Sequence, residues 1–482
     1  MTTYLYIILA YILVLMGFNF YRSKKVKTQE DFMVAGRRLK ISVMVFTLIC
    51  TWIGSGTFIA GAEYAYKAGF SSLWMAAGAW VGIVVIFFLA GKIRTFGQYT
   101  IGDILEVRYG KFARLFGALA LIISFTAIVS YQFRAGGYIL NVATDGAVSV
   151  NTGQFLTAAF VITFTALAGM IAVAYTDLPN GIIILLACLI SVPFVYTFAG
   201  GLETAKTILP VGHFQVVNES FGAHPYLKAG GYFLATMFLL LGVQSMYQKF
   251  YSARTPKDAR NAVVLWTIGT VFVETVVVII AVFAASKFWQ QGLDPASMVL
   301  VAARKMVPPV VGVLLLGAAC AVVISTGMNY LLSPTTNIMR DVYQRFIKPE
   351  ASQHTMVVLQ KTMVVILGVF AFLIATQMES VLQMSYFAYT IYGVSITPAL
   401  IAALAWKRAT KSGGLASIIS GTVVCLTLKI LTYILPASMV PEGDPWGIPL
   451  IYPSLIVSLF SLIVVSLLTK PPKEEEIKEL FP

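Results

Sequence analysis

The chain has 482 residues, of which 58% are hydrophobic and 11% are charged. Soluble globular domains carry about 25% charged residues, so this composition excludes a water-soluble enzyme or binding domain. Long apolar runs recur from one end of the chain to the other, and a single membrane span needs about 20 apolar residues. The sequence therefore predicts an all-α protein embedded in a lipid bilayer.

The formal net charge is +13. In a membrane protein an excess of Lys and Arg is typical of cytoplasmic loops. Because no basic run is interleaved with aromatic residues, as single-strand binders require, no nucleic-acid partner is expected. The cysteines and histidines are too scattered for a zinc site or a disulfide framework; they are Cys50, Cys188, Cys320, Cys425, His213, His224 and His354.

Thirteen apolar segments can be marked along the chain, each long enough to form a membrane helix. The first has no basic region before it and is predicted to be a retained helix, not a cleaved signal peptide. The predicted segments are 3–21, 44–66, 73–92, 113–141, 154–173, 178–199, 229–250, 263–286, 308–331, 355–377, 382–406, 414–435 and 451–469.

The distribution of basic residues predicts the orientation. If the first loop is cytoplasmic and the sides alternate, 26 of the 34 Lys and Arg residues fall in cytoplasmic connections and 6 in outer ones. The cytoplasmic set is then 22–43, 92–114, 174–177, 249–262, 332–361, 407–413 and 470–482. This bias predicts a multi-pass protein of the plasma (inner) membrane, with the N-terminus outside and the C-terminus cytoplasmic.

The second segment carries the run GSGT at 54–57, near its middle. Gly lowers helix propensity, and an unwound turn frees carbonyl oxygens that can coordinate Na+ or a substrate. The same small residues also suit a helix-packing face, and this segment alone does not separate the two interpretations. Glu63 follows toward the outer end, where it could reach the interface or pair with a neighbour.

The ninth segment contains two adjacent hydroxyl residues, Ser325 and Thr326, with apolar residues on both sides. Such hydroxyls commonly bond back to a carbonyl one turn earlier in their own helix. A hard cation, however, needs several oxygen ligands. Two hydroxyls and the carbonyl of Val322 would supply part of such a shell.

Other polar residues also lie within the apolar segments, where a polar side chain is costly unless it binds a ligand or pairs with another group. Asp177, at the start of the sixth segment, could cap a helix N-terminus, lie on the path of an ion, or do both. Gln244 and Tyr247 share one face of the seventh segment and could contact a substrate or another helix. Arg134 is predicted to pair with Glu63 or Asp145; the alternative is that it attracts an anionic substrate.

Internal symmetry supports a transporter. Broken helices at corresponding positions of two inverted halves indicate a binding site. Segments two to six and seven to eleven can be paired in this way, because the second carries Gly54 beside Ser55 and the seventh carries Gly242 near Gln244. The internal similarity is too weak to establish a repeat by itself.

Five motifs, in order along nearly the whole chain, resemble the sodium:solute symporter family. IAVAYTDLPNG is similar to that family's Trp/Tyr-Thr-Asp motif, and ISTGMNYLLSPTTNIMRDVY to its Ser-Ser/Thr motif with the trailing Asp-Val-Tyr. The other three are EDFMVAGRRL, the stretch AYKAGFSSLW followed by GQYTIGDILEVRYG, and SMYQKFYSARTPKDAR.

The resemblance implies a LeuT-like (APC-type) core of five-plus-five inverted-repeat helices with flanking helices. It also implies Na+ as the coupling ion, held between the second and ninth segments, with Asp177 on the ion path. The implied ion ligands are the carbonyls of Cys50, Ile53 and Val322 and the hydroxyls of Ser325 and Thr326. The implied divisions are 1–43 (first helix and cytoplasmic loop), 44–199 (first repeat), 200–228 (external loop), 229–413 (second repeat) and 414–482 (C-terminal flanking helices and tail).

Within the family, TWIGSGTFIAGAEYAY and VAYTD are most similar to the choline-transporter-like branch. Choline needs an aromatic cage. Trp52 matches one cage position, but Val243 and Ile128 stand at two others, so choline itself is not the expected solute. The resemblance implies a mildly polar pocket for a small polar solute, lined by Trp52, Ser55, Thr57, Ala76, Gln244, Tyr247 and Thr390.

The expected function is therefore Na+-coupled secondary active import of a small polar organic solute by alternating access. No cluster of His, Asp or Cys at catalytic spacing favours a membrane enzyme. The alternatives are a proton-coupled symporter of the same fold and, as a different class, a transporter-like membrane sensor. Residues 470–482 are too few to form a signalling domain. The solute, the stoichiometry and the oligomeric state are not determined by the sequence.

Overall fold

The computed structural model describes residues 2–23, 28–97, 99–378 and 380–481. Within these ranges the regular structure is helical, and extended pairing is limited to one bridge between Leu39 and Ala253. Residues 24–27 and 98, which belong to predicted cytoplasmic connections, lie outside the described ranges.

Twenty α-helices follow one another along the described chain. In order they are α1 (Thr2–Ser23), α2 (Gln29–Val34), α3 (Ile41–Trp52), α4 (Gly61–Ala68), α5 (Leu73–Phe96), α6 (Ile101–Tyr109), α7 (Lys111–Ala143), α8 (Val150–Phe198), α9 (Gly201–Ile208), α10 (Pro225–Gly242), α11 (Gln244–Ser252), α12 (Pro256–Phe288), α13 (Met298–Lys305), α14 (Pro309–Asn337), α15 (Gln353–Thr376), α16 (Val381–Ser395), α17 (Thr397–Ala405), α18 (Lys411–Ile434), α19 (Ile451–Leu468) and α20 (Glu474–Ile477).

Short tighter or wider turns connect several of these helices. Two stretches are π-helical, Gly56–Ala60 and Ile338–Ile347. The 3₁₀ turns are Ala35–Arg37, Gly69–Ser72, Val211–Phe214, Pro295–Ser297, Ala437–Met439, Pro441–Gly443 and Pro445–Gly447.

Eleven helical stretches of the described chain are long and apolar enough to cross a membrane. Helices are one of two structures that satisfy every backbone polar group inside a bilayer, and large apolar side chains such as Phe88 and Phe460 are exposed on their outer faces. The first predicted segment corresponds to α1, which is not among the eleven, and α3 is a shorter apolar helix. The total of thirteen spans stays a prediction.

The fifth and sixth predicted segments both lie in α8, as Val150–Leu167 and Ala174–Phe198. The predicted loop at 174–177 is wrong, because these residues are helical. The prediction that Asp177 caps a helix N-terminus is wrong for the same reason. Pro179 suggested a helix start at this point, but it lies inside α8. A proline within a helix removes one backbone hydrogen bond and keeps a helical φ angle.

The predicted cytoplasmic loop 332–361 is also largely helical, because α14 reaches Asn337 and its π-helical continuation reaches Ile347. The polar residues at the start of this stretch indicated a loop by composition, yet they are buried. Their hydrogen bonds explain the difference. The hydroxyls of Thr335 and Thr336 donate to the carbonyl of Leu332 at 2.7 and 3.0 Å.

The helix breaks predicted in the second and seventh segments are both present. Ile53, after α3, is extended with φ −70° and ψ 104°, and Val243, between α10 and α11, has φ −64° and ψ 117°. A third break at Ile396 separates α16 from α17. Each break interrupts the backbone ladder inside the helical bundle, where freed carbonyls and N–H groups can meet ligands or side chains.

Close helix packing at glycine holds α5 against α10. A Cβ atom added to Gly78 would lie 2.1 Å from the carbonyl oxygen of Phe233. Membrane helices commonly use small residues to let two backbones approach in this way.

We expect Gly78→Ala to force α5 and α10 apart and to destabilise the protein by about 1–3 kcal/mol, the usual effect of overpacking. Gly317 on α14 is the matched control, since a Cβ there meets nothing within 4 Å. Gly317→Ala should be neutral or slightly stabilising, because alanine favours a helix by up to about 1 kcal/mol. Thermal unfolding of both variants in detergent measures the difference, and equal Tm values would contradict the packing.

Candidate functional site

The unwound turn after α3 exposes backbone oxygens within the bundle. The last carbonyls of any helix have no partner in their own ladder. Here the N–H of Ile53 donates to the carbonyl of Ile49 at 2.7 Å, and the carbonyl of Gly54 accepts from the N–H groups of Thr57 and Phe58. The carbonyls of Cys50 and Ile53 lie between these two sets of bonds and are available to another helix.

That helix is α14, through the side chain of Thr326. Its hydroxyl Oγ1 lies 2.9 Å from the carbonyl oxygen of Cys50 and 3.2 Å from that of Ile53. The approach depends on Gly54, because a Cβ there would lie 2.8 Å from the Thr326 methyl carbon and 2.9 Å from its hydroxyl. Gly54, the first glycine of the GSGT run, is therefore required by the close approach of Thr326.

Asp177 lies beside this turn and is held by hydroxyl donors. Ser325 donates to its Oδ1, and Thr47 of α3 donates to its Oδ2 at 2.5 Å. The thiol of Cys50 donates to the backbone carbonyl of Asp177 at 3.3 Å. The carboxylate thus links α8 to α3 and α14, and it is buried.

The structure therefore brings most of the sequence-predicted ion set together. Cys50, Ile53 and Thr326 share one small cluster of oxygen atoms, whereas the hydroxyl of Ser325 is turned to Asp177. Val322 is buried on α14 one helical turn before Thr326. Carbonyl and hydroxyl oxygens are ligands suited to a hard cation, so this cluster has the chemistry of a Na+ site.

A lysine that the sequence interpretation placed in a loop lies close to this cluster. Lys249 was assigned to the cytoplasmic connection 249–262, which is wrong for this residue because α11 continues to Ser252 and the side chain is buried. Its ammonium group donates to Asn329, whose amide donates to the carbonyl of Ser325 at 3.0 Å. The motif SMYQKFYS gave no sign that this lysine points inward.

A small cavity of about 30 Å³ lies on the other side of the unwound turn. This volume holds about two water-sized groups. Three of the predicted pocket residues, Trp52, Thr57 and Ala76, line it. The other lining residues are Gly56, Gly61, Ser72, Met75, Thr236, Glu274, Val278 and Tyr389.

The remaining predicted pocket residues make other contacts and are not among those lining the cavity. The side chain of Gln244 exchanges hydrogen bonds with Asn337 and accepts from the N–H of Ile101 at 3.2 Å. The hydroxyl of Tyr247 donates to the carbonyl of Leu241 at 3.0 Å. Both side chains are buried against neighbouring helices, which is the alternative that the sequence had left open for Gln244.

Two further predicted pocket residues, Ser55 and Thr390, are each next in the chain to a residue that lines the cavity. The N–H of Ser55 donates to Gln132 Oε1 at 3.1 Å, and its hydroxyl has no partner in the described part of the chain. Thr390 is buried on α16 next to Tyr389, and it is Tyr389 that lines the cavity.

The predicted pairing of Arg134 with Glu63 or Asp145 is wrong. Arg134 donates to Asn151 Oδ1 at 2.9 Å, across the gap between α7 and α8. Glu63 instead pairs with Lys67 at 2.8 Å, one turn along α4. Asp145 pairs with Arg304, which lowers the pKa of its carboxyl. The partners of Arg134 and Glu63 are local, on the next helix and the same helix, whereas Asp145 meets Arg304 of α13, 159 positions along the chain.

Sequence reasoning missed Glu274, which is the acidic residue of the cavity. It is buried in α12, and one carboxylate oxygen accepts from Trp52 Nε1 at 3.0 Å while the other accepts from Trp80 Nε1 at 2.7 Å. The available signal was a single acidic residue in the apolar run VFVETVVVII. An ionisable residue inside a membrane helix indicates a functional site by default.

The cavity also depends on glycine at position 56. A Cβ there would lie 2.3 Å from the Tyr389 hydroxyl oxygen and 3.6 Å from its ring carbon. We expect Gly56→Ala to destabilise the protein by about 1–3 kcal/mol, and Tyr389→Phe, which removes the clashing oxygen, to restore most of that loss.

A double-mutant cycle of thermal stabilities tests this contact. The coupling energy between Gly56→Ala and Tyr389→Phe should be favourable and at least about 0.5 kcal/mol, as for residues in direct contact. Additive losses would show that the π-helical stretch Gly56–Ala60 and α16 do not meet at this point.

Comparisons with known proteins agree with these features. A profile of the sodium:solute symporter family matches residues 32–421. The chain is similar to the osmoregulated proline transporter OpuE of Bacillus subtilis (strain 168), with 27% identity over 96% of this chain and 94% of OpuE. It is also similar to a sodium/proline symporter of Staphylococcus aureus (strain bovine RF122 / ET3-1), with 25% identity over 97% of this chain and 93% of the relative.

Two solved structures share the fold. That of a Na+-coupled sialic acid symporter, in a substrate-bound outward-open state, superposes with a TM-score of 0.79 at 16% identity and covers 98% of each chain. MhsT in complex with L-phenylalanine superposes with a TM-score of 0.56 at 15% identity, covering 88% of this chain and 98% of MhsT. The all-α, LeuT-like class with a five-plus-five core is therefore confirmed. The chain belongs to the sodium:solute symporter family and is a Na+-coupled symporter of a small organic solute, not an enzyme.

Proposed function

We propose that this chain imports a small polar solute by alternating access, with one Na+ bound between the unwound turn of α3 and helix α14. The observation that supports this assignment is the Thr326 hydroxyl, which lies within hydrogen-bond distance of the carbonyls of both Cys50 and Ile53. Three oxygen atoms from two helices converge at this point. A cation placed among them would connect the two helices.

The proposed ligands are those that the family resemblance implies. The carbonyls of Cys50, Ile53 and Val322 would supply backbone oxygens, and Thr326 its hydroxyl. Ser325 reaches the ion when its hydroxyl turns away from Asp177. That carboxylate then loses one donor, and its negative charge favours the nearby cation by Coulomb attraction, which is strong in a low-dielectric interior.

Ion and solute are coupled through the chain itself. Trp52 lines the cavity, and the next residue, Ile53, belongs to the oxygen cluster. Ordering of this turn by Na+ therefore also orders the wall of the solute cavity. Downhill Na+ entry supplies the energy, of which the electrical part is about 2.3 kcal/mol per charge per 100 mV.

We propose the orientation that the basic residues predict, with the N-terminus outside and the C-terminus cytoplasmic, in the plasma (inner) membrane. A buried ion cluster then lies on the cytoplasmic side. In it Arg114 pairs with Asp103, Glu106 and Asp341 at 2.6–2.8 Å. The cluster joins α6 and α7 to the end of α14 and would have to separate when the transporter opens inward.

Proline is the first solute to test, because the relatives named above are proline transporters. The local similarity of TWIGSGTFIAGAEYAY to the choline-transporter-like branch makes betaines the second, since the missing cage residues disfavour choline itself. The hydroxyls of Thr57, Ser72 and Thr236 suit a compact polar solute, and the cavity of about 30 Å³ must widen to admit one.

Uptake of a radiolabelled solute panel into proteoliposomes tests the coupling ion. We expect accumulation under an inward Na+ gradient and its loss when K+ replaces Na+ at constant pH. Accumulation that persists in K+ and follows a pH gradient would instead identify the proton-coupled alternative.

The ion site is tested by Thr326→Ala. Removal of a hydroxyl that contacts a charged group costs about 1.5–3 kcal/mol, so the Na+ concentration for half-maximal uptake should rise roughly 10- to 100-fold. Thr335→Ala on the same helix is the matched control, because that hydroxyl donates back to the carbonyl of Leu332. Equal Na+ dependence in the two variants would remove Thr326 from the site.

Asp177 is tested separately from the ligands. We expect Asp177→Asn to raise the Na+ requirement, because the negative charge is lost, and Ser325→Ala to raise it as well. Thr165→Ala is the control, since its hydroxyl donates to the carbonyl of Val161 within α8. Unchanged Na+ dependence in Asp177→Asn would show that this carboxylate is structural.

A further inference from the structure

An acidic residue without a described cationic partner lies at the wall of the solute cavity. Glu274 is 6% exposed and stands within the apolar run of α12. No Lys, Arg or His in the described part of the chain forms an ion pair with it. A buried carboxylate costs several kcal/mol unless it is paired, so in its ionised form this residue needs a compensating positive group.

Two tryptophan side chains orient the carboxyl group of Glu274. Trp52 and Trp80 each donate an indole N–H, one to each carboxylate oxygen, at 3.0 and 2.7 Å. Both carboxyl oxygens therefore act as acceptors, and an ionised carboxylate has acceptor sites left for a further donor. Two indole donors are neutral, so they orient the negative charge without cancelling it.

The surroundings of the cavity complete a site for a positive group. The ring of Tyr389 lines the cavity together with Trp52, and the two ring centroids lie 6.5 Å apart. Aromatic faces attract cations by about 0.5–2 kcal/mol. The hydroxyl of Ser72 also lines the cavity, is buried, and has no hydrogen-bond partner in the described part of the chain.

From the juxtaposition of Glu274, two aromatic rings and the unpartnered Ser72 hydroxyl in one small cavity, we infer that the transported solute carries a positively charged nitrogen, which binds beside Glu274. The chemical class is a compact organic cation or zwitterion with an ammonium head, either protonated or fully alkylated. This inference rests on the proposed function, because it assigns the specificity of the same cavity.

The need for a positive charge is tested with pairs of compounds that have the same shape and differ in that charge. Choline and 3,3-dimethyl-1-butanol differ in a central N+ or carbon, and L-proline and cyclopentanecarboxylate differ in the ring nitrogen. Binding to the purified full chain in Na+ buffer is followed by tryptophan fluorescence, since Trp52 and Trp80 contact Glu274. We expect at least one ammonium compound to bind about 10- to 100-fold more tightly than the partner that lacks the positive nitrogen, as charged hydrogen bonds require.

The variant Glu274→Gln should remove this preference, because it keeps the shape and loses the charge. Glu274→Asp keeps the charge and should keep the preference at lower affinity, which guards against a variant that fails to fold. Glu203→Gln, an exposed residue paired with Lys206 on α9, is the control and should match the unmodified chain.

Equal binding of the members of each pair, or an equal loss for all compounds in Glu274→Gln, would overturn the inference. So would uptake driven by a pH gradient that disappears in Glu274→Gln, because Glu274 would then carry a proton. Failure of the proposed function is a different result, in which ammonium compounds bind in a Glu274-dependent way but no Na+ gradient drives their accumulation.

Discussion

The structure depends on one constraint, which is that backbone carbonyls inside a bilayer must find partners. Water is absent from the hydrocarbon region, so an interrupted membrane helix is tolerated only where other groups satisfy it. At the end of α3 this partner is Thr326, whose hydroxyl meets the carbonyls of both Cys50 and Ile53. The contact joins α14 to the turn after α3 at the place where the proposed ion would bind.

Buried charges in the membrane core are treated in two ways. Toward the proposed cytoplasmic side, Arg114 is surrounded by three carboxylates, and these pairs close the bundle. In the core, Asp177 and Glu274 are instead held by neutral hydroxyl and indole donors. The donors to Glu274 are neutral and leave its charge uncompensated within the described residues, whereas the ammonium group of Lys249 lies close to Asp177. The wall of the solute cavity therefore carries an acidic group without a described cationic partner, while the cluster around Arg114 contains charges of both signs.

The sequence predicted the fold class, the two helix breaks and the convergence of Cys50, Ile53 and Thr326, because glycine placement, hydroxyl pairs and family motifs are local signals. It failed where tertiary contacts decide. The polar run after Leu332 is helical because neighbouring carbonyls and side chains satisfy it. Gln244 turns to Asn337 and not to the cavity. Glu274 was overlooked because its tryptophan partners, Trp52 and Trp80, are about 200 positions away in the chain.

Trp52 connects the solute cavity to the oxygen cluster at Ile53. Its indole steadies the carboxylate of Glu274, and its own peptide leads directly into Ile53 of the oxygen cluster. Adjacent α-carbons are 3.8 Å apart, so only one peptide bond separates the residue that contacts Glu274 from the residue that contacts Thr326. A displacement of the end of α3 therefore moves both the Trp52–Glu274 hydrogen bond and the contact between Ile53 and Thr326. In the proposed mechanism this covalent connection opposes slippage, which is passage of the ion without its solute.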